Sequence, residues 1–149
     1  MGQYEGARGE SKYIPSGRTV EGVVVKEILA RYGVDGIVYR NGEPDFEVCA
    51  EMVLKIDYMS EDRYKNFMQA DIKCAEQWSI DNRNGKSDWM PSDVADYREA
   101  HGLTWHEKCD TETMVLVSEE INLYFKHCGG VSECRKRDSM ISDGGEFDE

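Results

Sequence analysis

The sequence has no apolar run long enough to span a membrane, and its start, MGQYEGARGE, does not resemble a secretory signal peptide. The start is also a poor myristoylation signal, because Gly6 stands where serine or threonine is needed. Five cysteines, an odd number, are scattered through the 149 residues. Without a secretion signal, they indicate a reduced protein rather than a disulfide framework. We therefore predict a cytoplasmic location and no membrane partner, with Cys49 and Cys74 simply buried.

Positive charge is scarce. The chain has 18 lysines and arginines against 30 aspartates and glutamates, which gives a net charge of −12. Such a chain repels a phosphate backbone, whereas nucleic-acid-binding proteins usually present a basic face. The dense basic cluster Arg135-Lys136-Arg137 is short, and we interpret it as a solvated surface run. Charge alone therefore disfavours a nucleic-acid partner.

Internal repeats and glycine-rich phosphate loops are also lacking, and the length suits one domain with a modest core. Residues 1–17 are rich in glycine, serine and charge, and we predict a flexible N-terminus. Residues 18–137 are expected to form the domain. Residues 138–149, which are acidic and contain glycine, are expected to be a disordered tail.

Several segments have clear secondary-structure patterns. Thr19 to Tyr32 combines a valine run with a helix-favouring half, and we predict a helix that Gly33 ends. A helix capped by Ser60 is predicted next, with an apolar core-facing stripe. The members of this stripe are Tyr64, Phe67, Met68, Ile72, Ala75 and Trp78. Short strands are predicted at Gly36–Tyr39 and Val53–Tyr58, a loop at Asp81–Asp88, and a second helix from Pro91 to just before Gly102.

The most informative stretch is LTWHEKCDTETMVLVSEEINLYFKHCGG, from Leu103 to Gly130. A β-favouring run that ends at His106 is followed by a polar turn, Asp110-Thr111-Glu112, and by a second β-favouring run, Met114 to Val117. A short helix then begins after Ser118, a good N-cap residue ahead of two acidic residues. The pattern predicts an α+β domain that ends in a β-hairpin and a helix.

This order resembles the ββα-metal finger of HNH nucleases, and the residues are similar to the LHH/WHH branch of the HNH/endonuclease VII superfamily, found as nuclease modules of bacterial polymorphic toxins. The chain has Asn122 where that branch usually has histidine, and Ser118 where it usually has proline. The matching positions of the finger are Thr104, Trp105, His106, Glu107, Asp110, Thr113, Met114, Leu116, Val117, Ile121, His127, Gly129 and Gly130. Upstream, the matching positions are Gly42, Pro44, Asp45, Phe46, Ile56, Asp57, Arg63, Asn66, Phe67, Gln69 and Ala70.

The resemblance implies metal-dependent hydrolysis of phosphodiester bonds in DNA or RNA, in the cytoplasm of a host or target bacterium. His106 is the candidate general base, Asn122 would orient it or lie at the metal, and His127 would bind the metal. Glu107 and Asp110 would support metal ligation or position the base without contacting the metal themselves. A glutamate beside His106 favours Mg²⁺ or Mn²⁺.

Two alternatives stay open. A structural zinc site could use His106, Cys109, His127, Cys128 and Cys134, although the spacing is imperfect. The chain could instead be a catalytically retired HNH-like protein that inhibits a basic nucleic-acid-binding protein, such as a CRISPR effector, by presenting an acidic surface like that of a phage anti-CRISPR protein. The residues expected on that surface are Glu61, Asp62, Asp71, Glu119 and Glu120.

Overall fold

The computed structural model describes residues 2–125. Within this range there are four α-helices: α1 (Val20–Ala30), α2 (Arg63–Ile80), α3 (Pro91–His101) and α4 (Glu119–Tyr124). The strands of the same range are β1 (Gln3–Tyr4), β2 (Lys12–Ile14), β3 (Ile37–Arg40), β4 (Glu43–Pro44), β5 (Met52–Lys55), β6 (Leu103–Glu107) and β7 (Thr113–Ser118). Two short 3₁₀ turns lie at Phe46–Cys49 and Arg83–Gly85. His127, Cys128, Cys134 and the predicted tail lie outside the described residues.

The strands form two antiparallel sheets. One sheet has the order β1-β2-β3-β4, and the other has the order β5-β7-β6. Together with the helices they make a small α+β domain, as the sequence predicted. No helix among residues 2–125 has the length and apolar character that a membrane crossing requires.

The predicted β-hairpin is confirmed. Strands β6 and β7 pair antiparallel, with Trp105 opposite Leu116 and His106 opposite Val115. The turn between them is closed by Asp110, whose carboxylate accepts hydrogen bonds from the backbone of Glu112 and Thr113 and from the Thr113 hydroxyl. The Ser118 hydroxyl accepts a hydrogen bond from Ile121 N at 3.4 Å, so the predicted N-cap of α4 is also confirmed.

Strand β7 is buried along its whole length and separates two hydrophobic cores. Met114 and Leu116 face a core formed with α2 and α3, which we call the tryptophan core because it contains Trp78, Trp89 and Trp105. The alternate residues, Val115 and Val117, face a second core formed with α1, α4 and strand β3. We call it the tyrosine core, and its aromatic members are Tyr4, Tyr13, Tyr32, Tyr39, Phe46, Tyr124 and Phe125. The two-residue period of a strand therefore assigns neighbouring side chains to different cores.

Two predictions about helix α2 need correction. Helix α2 is capped by Asp62, not Ser60, because the Asp62 carboxylate accepts hydrogen bonds from Tyr64 N and Lys65 N. The predicted apolar stripe is only partly buried: Tyr64, Met68 and Ile72 are exposed, because the buried face is rotated towards polar positions such as Asn66 and Asp71.

The N-terminal residues contain two paired strands, β1 and β2, and β2 also pairs with β3. The Tyr13 ring packs against Tyr4, Tyr39 and Phe125, so this segment covers one side of the tyrosine core. The helix predicted from Thr19 is confirmed as α1, with Thr19 as its N-cap and Gly33 in the left-handed conformation just after its end.

Candidate functional site

His106 lies one residue before the end of edge strand β6 and is only 4% exposed. Its side chain faces the tyrosine core, where its ring meets the edge of Phe46 at a centroid distance of 4.7 Å. The Nδ1 atom lies 3.0 Å from Oδ1 of Asn122 in α4. Because an amide oxygen only accepts hydrogen bonds, Nδ1 carries the proton in this pair. The structure therefore brings together His106 and Asn122, as predicted from the hairpin-helix order.

The second ring nitrogen of His106, Nε2, is buried and has no hydrogen-bond partner within residues 2–125. Burial lowers the pKa of His106 to about 4, against a smaller upward effect of the Asn122 hydrogen bond, and the cations of Lys108 and Arg63 lower it further. The imidazole is therefore neutral at pH 7, and Nε2 presents a lone pair.

A carboxylate that the sequence analysis did not single out lies close to Nε2. Oε2 of Glu43, in strand β4, lies 3.9 Å from Nε2 and accepts a hydrogen bond from the backbone N–H of Cys109 at 2.6 Å. Glu43 lies between Gly42 and Pro44, two of the upstream positions that match the HNH resemblance. This position was the one signal in the sequence that could have indicated Glu43. Nothing in the spacing, however, shows that residues 63 positions apart meet.

Glu107 lies on the opposite face of β6 from His106. Its carboxylate is 3% exposed, accepts a hydrogen bond from Asn66 Nδ2 and lies 3.2 Å from Nε of Arg63. The structure therefore does not bring Glu107 to the histidine, because consecutive residues of a strand point to opposite sides. Asp110 closes the hairpin turn instead of approaching His106.

A divalent cation fits the donors at His106 in part. A neutral imidazole with an unpartnered buried nitrogen and a carboxylate opposite it are groups that bind divalent metals. Among residues 2–125, no group of three or more histidine, cysteine, aspartate or glutamate side chains is arranged to hold a metal ion. Cys109 is half-buried and reaches this neighbourhood through its backbone. The other predicted ligands, His127, Cys128 and Cys134, lie outside the described residues.

Four of the five residues predicted to form an acidic surface for a protein partner are exposed. Glu61, Asp62, Glu119 and Glu120 are exposed, but Asp71 is buried, so its assignment to that surface is wrong. The Asp71 carboxylate accepts hydrogen bonds from Nε and Nη2 of Arg98 and from Nε1 of Trp105. The Asp71 carboxylate therefore binds groups within the tryptophan core and is not part of an exposed acidic surface.

The comparisons with known proteins define the class. Residues 36–129 match the family described as the DNase/tRNase domain of colicin-like bacteriocin, and this range includes β3–β7, His106 and Asn122. The chain is thus a nucleic-acid-hydrolysing toxin domain. It belongs to the colicin-like DNase/tRNase domain family, which implies nuclease activity and a nucleic-acid substrate. No curated protein and no solved structure matches the chain.

Proposed function

We propose that this chain is a metal-dependent nuclease of the HNH type, which hydrolyses phosphodiester bonds in DNA or RNA in the cytoplasm of a target bacterium. One observation carries the proposal. Inside the segment that matches a nuclease family, His106 near the end of strand β6 is oriented by Asn122 from the following helix, and its buried Nε2 atom has no hydrogen-bond partner among residues 2–125.

Phosphodiester hydrolysis needs a group that takes a proton from water and positive charge that stabilises the phosphate oxygens. Since Nδ1 of His106 is used by Asn122, a single lone pair, on Nε2, is left for chemistry. His106 therefore acts either as the general base or as a metal ligand, and both roles make it essential. A bound divalent cation would supply the charge, with His127, a predicted ligand outside the described residues, as a further contributor.

Two cations lie near His106 despite the net charge of the chain. Arg63 and Lys108 are close enough for their cations to lower the pKa of His106. Each is paired with a carboxylate: Lys108 Nζ lies 3.5 Å from Glu47, and Nε of the 56% exposed Arg63 side chain lies 3.2 Å from Glu107. The carboxylates offset the attraction of these cations for phosphate, so we assign the charge at the site to a bound metal ion.

A nicking assay on plasmid DNA and on structured RNA tests the proposal. The wild-type chain should cut in Mg²⁺ or Mn²⁺ and stop cutting when a chelator is added. His106→Ala should reduce the rate by roughly 10²-fold to 10⁴-fold, the usual effect of losing an acid–base group. His101→Ala is the matched control, because His101 is exposed, stacks on Tyr97 at the end of α3 and should leave the rate unchanged.

Absence of cutting by the wild type on both substrates would contradict the proposal. Equal rates for His106→Ala and the wild type would remove His106 from the site. The acidic-inhibitor alternative is weaker, because one of its five carboxylates, Asp71, is buried and the family match is to nucleases.

A further inference from the structure

Nε2 of His106 and Oε2 of Glu43 lie 3.9 Å apart with no group of residues 2–125 hydrogen-bonded to Nε2. Both atoms are acceptors, since the proton of the neutral imidazole is on Nδ1. At 3.9 Å they are too far apart for a hydrogen bond. A buried acceptor that faces a partly buried carboxylate is repelled by it unless something positive lies between them.

Both residues are held firmly in this arrangement. His106 is fixed by Asn122 on one side and by the Phe46 ring on the other. Glu43 is fixed by its hydrogen bond from Cys109 N and by the pairing of strand β4 with β3. The Glu43 side chain keeps 16% exposure, whereas the His106 side chain keeps 4%, so the carboxylate is the more accessible of the two groups.

We propose that Glu43 is a metal-ligating residue of this site and that it binds, together with Nε2 of His106, a divalent cation of the Mg²⁺ or Mn²⁺ class. This inference rests on the proposed function for the identity of the site and assigns His106 the ligand role. Metal–nitrogen and metal–oxygen bonds are each about 2 Å long, so one cation can contact both atoms across the gap.

The two protein donors found among residues 2–125 are compatible with Mg²⁺ or Mn²⁺. Within residues 2–125 this is a two-donor site, because no larger cluster of metal-binding side chains is present there. Mg²⁺ and Mn²⁺ are commonly held by one or two protein ligands while water and substrate phosphate fill the remaining positions. A closed structural zinc site requires about four protein ligands. Glu43 thus takes the place that the sequence assigned to Glu107.

The test is a Mn²⁺ titration of the full 149-residue chain, followed by the electron paramagnetic resonance signal of free Mn²⁺. Glu43→Gln should weaken Mn²⁺ binding by at least about tenfold, because loss of groups around a metal typically costs 10-fold to 100-fold in affinity. The glutamine carbonyl can still accept the Cys109 N–H bond, so the fold is preserved. Glu27→Gln is the matched control, since Glu27 is an exposed glutamate on helix α1. It should bind Mn²⁺ as the wild type does.

The melting temperature in the presence of a chelator shows whether each variant is folded, and the melting-temperature increase caused by added Mn²⁺ repeats the comparison. Wild-type affinity in Glu43→Gln, or no Mn²⁺ binding by the wild type, would overturn the proposal. Mn²⁺ binding that depends on Glu43 without nucleic-acid cleavage would support the metal site and contradict the nuclease function. Cleavage that persists unchanged in Glu43→Gln would overturn the role of Glu43 and leave the nuclease function standing.

Discussion

His106 and Glu107 are adjacent on strand β6, and both are almost fully buried, but they meet different surroundings on the two faces of the sheet. On the tryptophan-core face, Glu107 has a hydrogen bond from Asn66 and a salt bridge to Arg63. On the tyrosine-core face, His106 has one nitrogen that Asn122 satisfies and one that has no hydrogen-bond partner among residues 2–125. Buried polar groups are nearly always paired.

The two residues therefore differ in how far the described fold satisfies them. The buried Glu107 carboxylate has both an amide donor and a cation from α2 beside it. Residues 2–125 leave Nε2 of His106 without a hydrogen-bond partner, and a bound ligand could satisfy it. Residue type and burial alone do not distinguish His106 from Glu107 as candidate ligand-binding residues. The hydrogen bonds that each side chain makes do distinguish them.

The largest effect on the partnered face is expected for Asp71→Ala. The change leaves the Arg98 guanidinium, which is 17% exposed, without its counter-ion and removes the acceptor of Trp105 Nε1. Breaking a buried ion pair by removing one partner costs about 3–5 kcal/mol of the free energy of unfolding. Urea denaturation measures this, with Glu61→Ala as the exposed control, expected to cost less than about 1 kcal/mol. Similar losses in both variants would contradict the partnered role of Asp71.

The pH dependence of stability tests the opposite face. Burial lowers the pKa of His106 from its ordinary value of 6.5 to about 4. Between these pH values the unfolded chain binds a proton that the folded chain does not, so the free energy of unfolding falls as pH decreases from 6.5 to 4. The full loss amounts to up to about 3 kcal/mol. Urea denaturation in chelator at a series of pH values should show this slope in the wild type and in His101→Gln. The slope should be reduced in His106→Gln, and superposable curves for all three chains would contradict the assignment.

Asn66→Ala tests whether Glu107 depends on its amide partner. The change removes the bond to Glu107 and two bonds with the backbone of Ser60. Leaving a buried acceptor unsatisfied costs about 1–3 kcal/mol. Gln69→Ala removes one amide bond, to Tyr58 O, from a more exposed site on the same helix, and it should cost less. Thermal denaturation compares the two variants, and a larger loss in Gln69→Ala would reverse our interpretation of this face.

The smallest effect is expected at the start of α2, which places Arg63 and Asn66 beside Glu107. Asp62→Ala removes the two capping hydrogen bonds and should cost about 1 kcal/mol. Ser60→Ala should cost less, because Ser60 does not cap the helix and its hydroxyl accepts one bond from Asp62 N. Chemical denaturation of the two variants distinguishes the caps, and a greater loss in Ser60→Ala would restore the cap predicted from the sequence.

Much of the fold could be predicted from local sequence signals. Two β-favouring runs around a polar turn predicted the β6–β7 hairpin, and the Pro91 and Gly102 boundaries predicted α3, because turn and cap residues act within a few positions. The buried face of α2 was assigned wrongly. Apolar side chains such as Tyr64 and Met68 suggested burial, but packing places Asn66 and Asp71 inside, where partners from distant segments satisfy them.

Only the contact between neighbouring elements of the candidate site could be predicted from the sequence. His106 and Asn122 lie 16 positions apart on consecutive elements, so the hairpin-helix order implied their contact. Glu43 comes from a different sheet, and its approach to His106 depends on how the two sheets pack. Glu107 was expected near the metal because its sequence neighbour is His106, but strand alternation directs it to the other face.

The division of aromatic residues between the two cores gives the molecule two independent optical probes. All three tryptophans lie in the tryptophan core, while Tyr4, Tyr13, Tyr32, Tyr39 and Tyr124 lie in or against the tyrosine core. Tryptophan emission therefore reports on the packing of α2 and α3, and near-ultraviolet circular dichroism of tyrosine is weighted towards the side that carries His106. Coincident unfolding curves from the two signals would mean that β7 couples both cores in one transition. Separate curves would mean that the side holding the proposed catalytic centre loosens while the other stays folded.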